Sequence, residues 1–398
     1  MEFRFDPQEH RFRVRTLVPP GEARVFFADD EAFSFGIEEE YFIADAKTLQ
    51  VASETPESLF ALAECGASGR VGREFLQAQI EVATEPHDEP DTARLELQRL
   101  RQNAAGAATA HGLAILACGT HPSARWPLAV QSPKERYTHV MDVLQMIGQR
   151  NMLCGMHVHV EFPDPTRRVD VMTRMLPYLP VFIALSTSSP FWQSRRTGLR
   201  GYRLAAYDEL PRSGVPELLR TREEFDAYVA ALVQAGVIED SSFIWWAIRP
   251  SLENPTLELR APDSCTLVED SIAIAALYRT LTRYLYVNRW RNSDLNAVTR
   301  ALIVENKWRA QRYGVHGTFV TEAGALTVAE MLEEVIGETA ADAAALGCAA
   351  EIDRCRAIVG AGTSADVQLA VYEAQSDGAG RDAALRAVLD WIAAATPQ

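Results

Sequence analysis

Four short stretches of the sequence alternate apolar and ionisable residues in steps of two: "GIEEEYF" (36–42), "REFLQAQIEVATEP" (73–86), "GMHVHVEF" (155–162) and "PTLELRAP" (255–262). In an extended chain successive side chains point to opposite faces, so this pattern predicts strands with one apolar and one ionisable face. Glu38 and Glu40 share a face with Phe42, and Ile37, Glu39 and Tyr41 take the other. Gln77, Gln79 and Glu81 lie together, with Glu74 seven residues before Glu81. His157, His159 and Glu161 oppose Met156, Val158 and Val160, while Thr256, Glu258 and Arg260 oppose Leu257, Leu259 and Ala261. A chain that repeats this arrangement four times is set to build a sheet with one face on a core and the other lined with charge.

Such a face needs a reason. Two carboxylates ~4 Å apart repel by roughly 4 kcal/mol at an effective dielectric of about 20, which a solvated edge avoids by turning both to water. Solvation is the ordinary reading of an isolated Glu-x-Glu, and structural pairing that of an isolated strand histidine. Five carboxylates on one face (Glu38, Glu40, Glu74, Glu81 and Glu258) beside imidazoles are a different case. That density is sustained when divalent cations neutralise it. Oxygen-dominated donors with an imidazole suit Mg²⁺ or Mn²⁺ better than Zn²⁺. Glu38 and Glu40 are then expected to face metal, and Glu39 to face away from it.

Composition narrows the partners. Thirty-nine basic against 54 acidic residues give a formal charge of −15, which argues against nucleic acid and anionic membrane surfaces. The opening "MEFRFDPQEHRFRVRTL" lacks the apolar core of a signal peptide, and "GLAILACG" and "YLPVFIAL" are short for a membrane span. A soluble cytoplasmic protein is expected. Six cysteines without a CxxC read as reduced, mostly buried thiols, with Cys348 and Cys355 on one packed helix face. No GxxxxGK[ST] loop is present to cradle phosphate.

The expected organisation is an N-terminal arm over 1–32, carrying a short strand at "RFRVRTLV", and a single α+β catalytic domain over 33–398, mostly helical from 266 onward. "EPDTARLELQRLRQNAAGAATAHG" reads as a helix with Leu95, Leu97, Leu100 and Ala104 on its apolar face. "SPKERYTHVMDVLQMIGQRNML" is a second helix, and "RVDVMTRMLPYLPVFIALSTSSP" a third, broken or kinked at Pro177 and Pro180. "FWQSRRTGLRGYR" reads as loop, and "SSFIWWAIRPS" with "NPTLELRAPDS" as a strand pair across a Glu-Asn-Pro turn.

Taken in order, "FGIEEEYFI", "GREFLQAQIEVATEP", "CGTHP", "CGMHVHVEF", "SPFWQSRRTGLRGYR" and "TLELRAPD" resemble the carboxylate–amine ligase family related to type 2 glutamate–cysteine ligase, within the glutamine synthetase-like superfamily. The likeness runs from about residue 33 to about residue 315. It implies an antiparallel sheet with a concave active-site face and helices behind it. It further implies that Glu40, Glu74 and Glu81 hold one Mg²⁺ or Mn²⁺ and that Glu38, His157 and Glu258 hold another. By the same likeness Arg260 meets the transferred phosphoryl group, His159 approaches nucleotide phosphate, and Arg203 contacts substrate or phosphate, with Arg195 and Arg196 as weaker candidates. The implied reaction is ATP-dependent amide formation through an acyl phosphate, with glutamate as the carboxylate and cysteine as the default amine. The acceptor and the oligomeric state stay open, a homo-oligomer among the expectations. A metal-dependent amidase or phosphatase, and a non-catalytic metal- or nucleotide-binding regulator, are the alternatives.

Overall fold

A computed structural model describes residues 33–66 and 69–398; the N-terminal arm and its strand lie outside the described residues. Seven strands form one antiparallel sheet: β1 (Phe35–Asp45), β2 (Arg70–Arg73), β3 (Gln79–Ala83), β4 (Leu113–Leu116), β5 (Met156–Glu161), β6 (Ile248–Pro250) and β7 (Thr256–Leu259). Their order is β6-β7-β5-β1-β3-β2, with β4 pairing the far end of β1. The long β1 is the spine. Its Glu38 lies opposite His157 of β5, and its Glu40 opposite Glu81 of β3.

Parity divides the faces as the sequence predicts. Phe35, Ile37, Tyr41 and Ile43 join Ile80, Val82, Met156, Val158, Val160, Leu257 and Leu259 in the main core. Two long helices, Pro90–Ala110 and Val268–Val287, cover that face. On the opposite face Phe42 enters a second cluster with Phe75, Leu116, Cys154 and Phe191, closed by Leu385, Val388, Leu389 and Ile392 of the C-terminal helix Arg381–Ala395. That cluster walls off one end of the polar face.

Several helical expectations are corrected. Leu95 is 62% exposed, because the buried stripe of its helix runs through Ala93, Leu97, Leu100 and Ala104, and a residue two positions from Leu97 lies on the far side of a 3.6-residue turn. The second helix divides into Glu135–Leu144 and Met146–Gln149 at Gln145, whose φ of 52° interrupts it. Pro177 and Pro180 interrupt the α-helix as expected: Arg168–Met175 gives way to a 3₁₀ turn, Leu176–Tyr178, before Leu179–Ser186, each proline standing in the first turn of its segment. Together Pro165–Ser186 is long and apolar enough to cross a membrane, but 89% of its apolar window is buried within the protein. The "FWQSRRTGLRGYR" loop carries a small hairpin, Phe191–Trp192 with Arg195–Arg196, and leads into the helix Tyr202–Tyr207. Five of the six cysteines are buried and free, and Cys65 is exposed.

Candidate active site

The polar face carries a diagonal row of donors. Across the sheet Arg249 faces Glu258, Glu258 faces His159, and His159 faces Gly36, which has no side chain to fill the row. His159 Nε2 consequently reaches to 3.5 Å of Glu38 Oε1. His157 Nδ1 lies 3.4 Å from Glu38 Oε2 and 3.9 Å from Glu258 Oε1, and its Nε2 is 3.8 Å from Glu40 Oε1. Glu74 enters from the segment after β2, held by the Phe75 N–H donating to its Oε2 at 2.8 Å. Three sets have donor atoms within 4.8 Å of one another: Glu40, Glu74 and Glu81; Glu38, Glu81 and His157; and Glu38, His159 and Glu258. Glu38 and Glu81 each serve two sets.

The first set coincides with the expected one. The second expected set, Glu38 with His157 and Glu258, is redistributed. Glu258 groups with His159, two positions along β5, because antiparallel register sets Glu258 directly opposite that residue. His159 is thereby a candidate ligand as well as a phosphate neighbour.

Electrostatics follow from crowding. Burial, then the Glu74 carboxylate, pushes Glu40 up from 4.5 to about 7, against the opposing Arg203 charge and the Gly155 N–H. Burial and the carboxylates of Glu74, Glu38 and Glu40 push Glu81 well above the usual range. For Glu38 burial acts upward but contacts with His157 and His159 prevail, so it stays well below. Glu258 is likewise held low against burial, by the guanidinium groups of Arg260 and Arg249. Burial, with the charge of Arg260, lowers His157 to about 4 and leaves it a neutral donor near pH 7. The buried Nε2 atoms of His157 and His159 make no hydrogen bond. Excess carboxylate, protons held by burial and by neighbouring carboxylates, and two idle imidazole nitrogens fit a set of divalent-cation ligands.

The row floors a cavity of about 580 Å³ that also meets Arg203, Arg249, Arg260, Tyr137, Tyr207, Trp245, Lys134 and Arg136. Arg260 pairs with Glu258 through Nη1 and lies 3.3 Å from the Tyr207 hydroxyl through Nη2, so the structural pairing and the cavity position coexist. Arg203 is buried, and its Nη1 donates to the carbonyl oxygens of Arg260, Ala261 and Pro262 at 3.0–3.4 Å. Arg195 and Arg196 are not in the cavity: both are exposed, and Arg196 pairs with Glu373 at 3.1 Å beside the Ser364–Ala379 helix. Sequence reasoning missed Arg249, which grips Glu258 by Nε at 2.6 Å and Nη2 at 3.3 Å while Nη1 donates to Ser242 and Ile244 carbonyls. Counting back symmetrically from the Glu-Asn-Pro turn would have set Arg249 opposite Glu258.

The profile of glutamate–cysteine ligase family 2 matches residues 34–385. The chain belongs to that family. A relative from Bradyrhizobium sp. (strain ORS 278), which carries the name "Putative glutamate–cysteine ligase 2", is 57% identical over 92% of this chain and 88% of its own length. A relative of the same name from Rhodospirillum rubrum is 44% identical over 92% of this chain and 96% of its own length. Among solved structures, the glutamate–cysteine ligase of Francisella tularensis in complex with AMP aligns with a TM-score of 0.68 over 92% of this chain and 90% of its own, at 13% identity. The bifunctional glutathione synthetase of Pasteurella multocida aligns with a TM-score of 0.66 over 92% of this chain and 53% of its own, at 14% identity. At such identities the likeness establishes the fold, which is the antiparallel sheet and helix arrangement expected of this family.

Proposed function

We propose that the protein is an ATP-dependent carboxylate–amine ligase that joins glutamate to an amine, cysteine being the default acceptor, with residues 33–398 acting as a single cytoplasmic catalytic domain. The observation that supports this reading best is the row of five carboxylates and two imidazoles on the floor of one cavity, with Arg203, Arg249 and Arg260 among its lining. Glu40, Glu74 and Glu81 would hold one Mg²⁺ or Mn²⁺, and Glu38 with His157, His159 and Glu258 would hold more. Bound there, such ions neutralise and align phosphate oxygens.

The chain's own groups do the rest. A carboxylate oxygen of the donor attacks the γ-phosphorus of ATP, the bond to the β-γ bridging oxygen breaks, and ADP leaves. Arg260, at the cavity wall beside Glu258, offers a planar fork to the equatorial oxygens as charge shifts. The amine then attacks the acyl carbon, loses a proton, and expels phosphate bearing the donor's oxygen. Arg203 supports Arg260 from behind by bonding its carbonyl. ADP release measured with glutamate, with amine and with both tests the assignment. Multiple-turnover ADP release that requires glutamate, amine and a divalent cation supports the ligase, with at most one turnover on glutamate alone; sustained release with amine alone, or amide hydrolysis without ATP, replaces it with the hydrolase alternative.

A further inference from the structure

Glu39, between the two metal-facing glutamates, points into the main core and is fully buried against the equally buried Arg101 of the Pro90–Ala110 helix. Arg101 Nε donates to Glu39 Oε2 at 2.8 Å and Nη2 to Oε1 at 2.7 Å. Its other N–H groups donate to the carbonyls of Cys265 and Thr266, both at 2.8 Å, and of Thr396 at 3.2 Å. All five donors of the guanidinium are used. Tyr41 and Ser271 donate their hydroxyls to the two Glu39 oxygens.

A buried ion pair contributes little net stability compared with an apolar pair of similar size, because desolvation offsets attraction. What it supplies is direction: a bidentate fork fixes both partners where apolar contact does not. The two elements it fixes carry the site. One is the middle of β1, where any shift of Glu39 moves Glu38 and Glu40. The other is the segment that follows β7, the strand of Glu258: it begins with Arg260, and its Ser264 hydroxyl also donates to the Glu40 carbonyl at 2.7 Å. We infer that Arg101, acting through Glu39 from the back of the sheet, is a positioning residue that sets the spacing between the β1 glutamates and the Glu258–Arg260 end of the row. This inference rests on the metal-site reading above.

The test replaces the pair by apolar side chains, Glu39→Leu with Arg101→Met, which leaves no buried charge unpaired. Melting of the metal-free protein and Mn²⁺ affinity by calorimetry are read on parent and double variant. The double variant is expected to fold with a melting temperature close to the parent's and to bind Mn²⁺ on the order of 10-fold more weakly, as when outer partners of metal ligands are removed. If parent and double variant bind Mn²⁺ alike, the positioning role is overturned and the metal site stands. If the parent itself binds no Mn²⁺, both fall. Should the double variant not fold, Arg101→Lys and Glu39→Asp carry the test, since each keeps a buried charge pair and loses the bidentate fork. Weaker Mn²⁺ binding in the folded variants supports the role, and unchanged binding overturns it.

Discussion

Arg260 and Glu40 make separable predictions at the scale of single residues. Arg260→Lys keeps the charge and loses the fork. ADP formation is expected to fall on the order of 10²-fold while the melting shift produced by Mg²⁺ survives; full turnover would remove Arg260 from the phosphoryl role. Glu40 titrates near 7 in the folded, metal-free protein against 4.5 for an unperturbed carboxyl, with burial as the chief cause. A raised carboxyl binds its proton more tightly when folded, so its stabilising effect is present below pH 4.5 and is lost as pH rises to about 7. At ~1.4 kcal/mol per pH unit that interval corresponds to roughly 3 kcal/mol. Metal-free Glu40→Gln is therefore expected to gain on the parent between pH 5 and 7.5 in urea melts, and parallel curves would contradict the assignment. At this scale strand parity placed Glu38 and Glu40 on the cavity face and Glu39 on the core face from the sequence. The partner of Glu39 was not legible, since Arg101 lies 62 residues away on a helix whose other core-facing positions, Glu96 apart, are apolar, and only tertiary packing brings it to β1.

Elements were legible where their period was local and illegible where a neighbour decided. β1, β5 and β7 follow from alternation alone, but Leu95 was assigned to the wrong helix face, since the sequence does not reveal which of two leucines two positions apart the partner covers. The order of the sheet, with β5 between β1 and β7, depends on pairings of residues far apart in the chain, such as Glu38 with His157 and Thr256 with Glu161, that no local pattern encodes. The entry to β5 illustrates such a constraint. A Cβ on Gly155 would lie 2.1 Å from Arg203 Nη2, so glycine there lets the guanidinium pass to its three carbonyl acceptors. Gly155→Ala is expected to displace Arg203 and destabilise by about 1–3 kcal/mol in denaturant melts. In an Arg203→Ala background the same change should cost much less; equal costs in both backgrounds would show that the two do not meet.

For the whole molecule, the charge of −15 and a carboxylate row buried in one cavity predict that divalent cations stabilise the fold. Mg²⁺ or Mn²⁺ at ~100 times its dissociation constant should stabilise the fold by roughly 2.7 kcal/mol per independent site. The melting temperature should rise more than in NaCl of matched ionic strength, and identical responses would count against the site. The family and its chemistry were readable because six short motifs occur in one order, whereas the acceptor amine was not, because the cavity wall is assembled from distant segments, Tyr137 and Trp245 among them, that only the long-range fold brings together.

The central claim is that the donor carboxylate is activated by phosphorylation on this face. Its most direct measurement is the fate of oxygen: glutamate labelled with ¹⁸O in its side-chain carboxylate is incubated with ATP, Mg²⁺ and the amine, and the released phosphate is analysed by mass spectrometry. An acyl phosphate transfers one donor oxygen to each phosphate, so singly labelled phosphate is predicted in step with amide formed. Unlabelled phosphate accompanying amide or ADP would contradict the account.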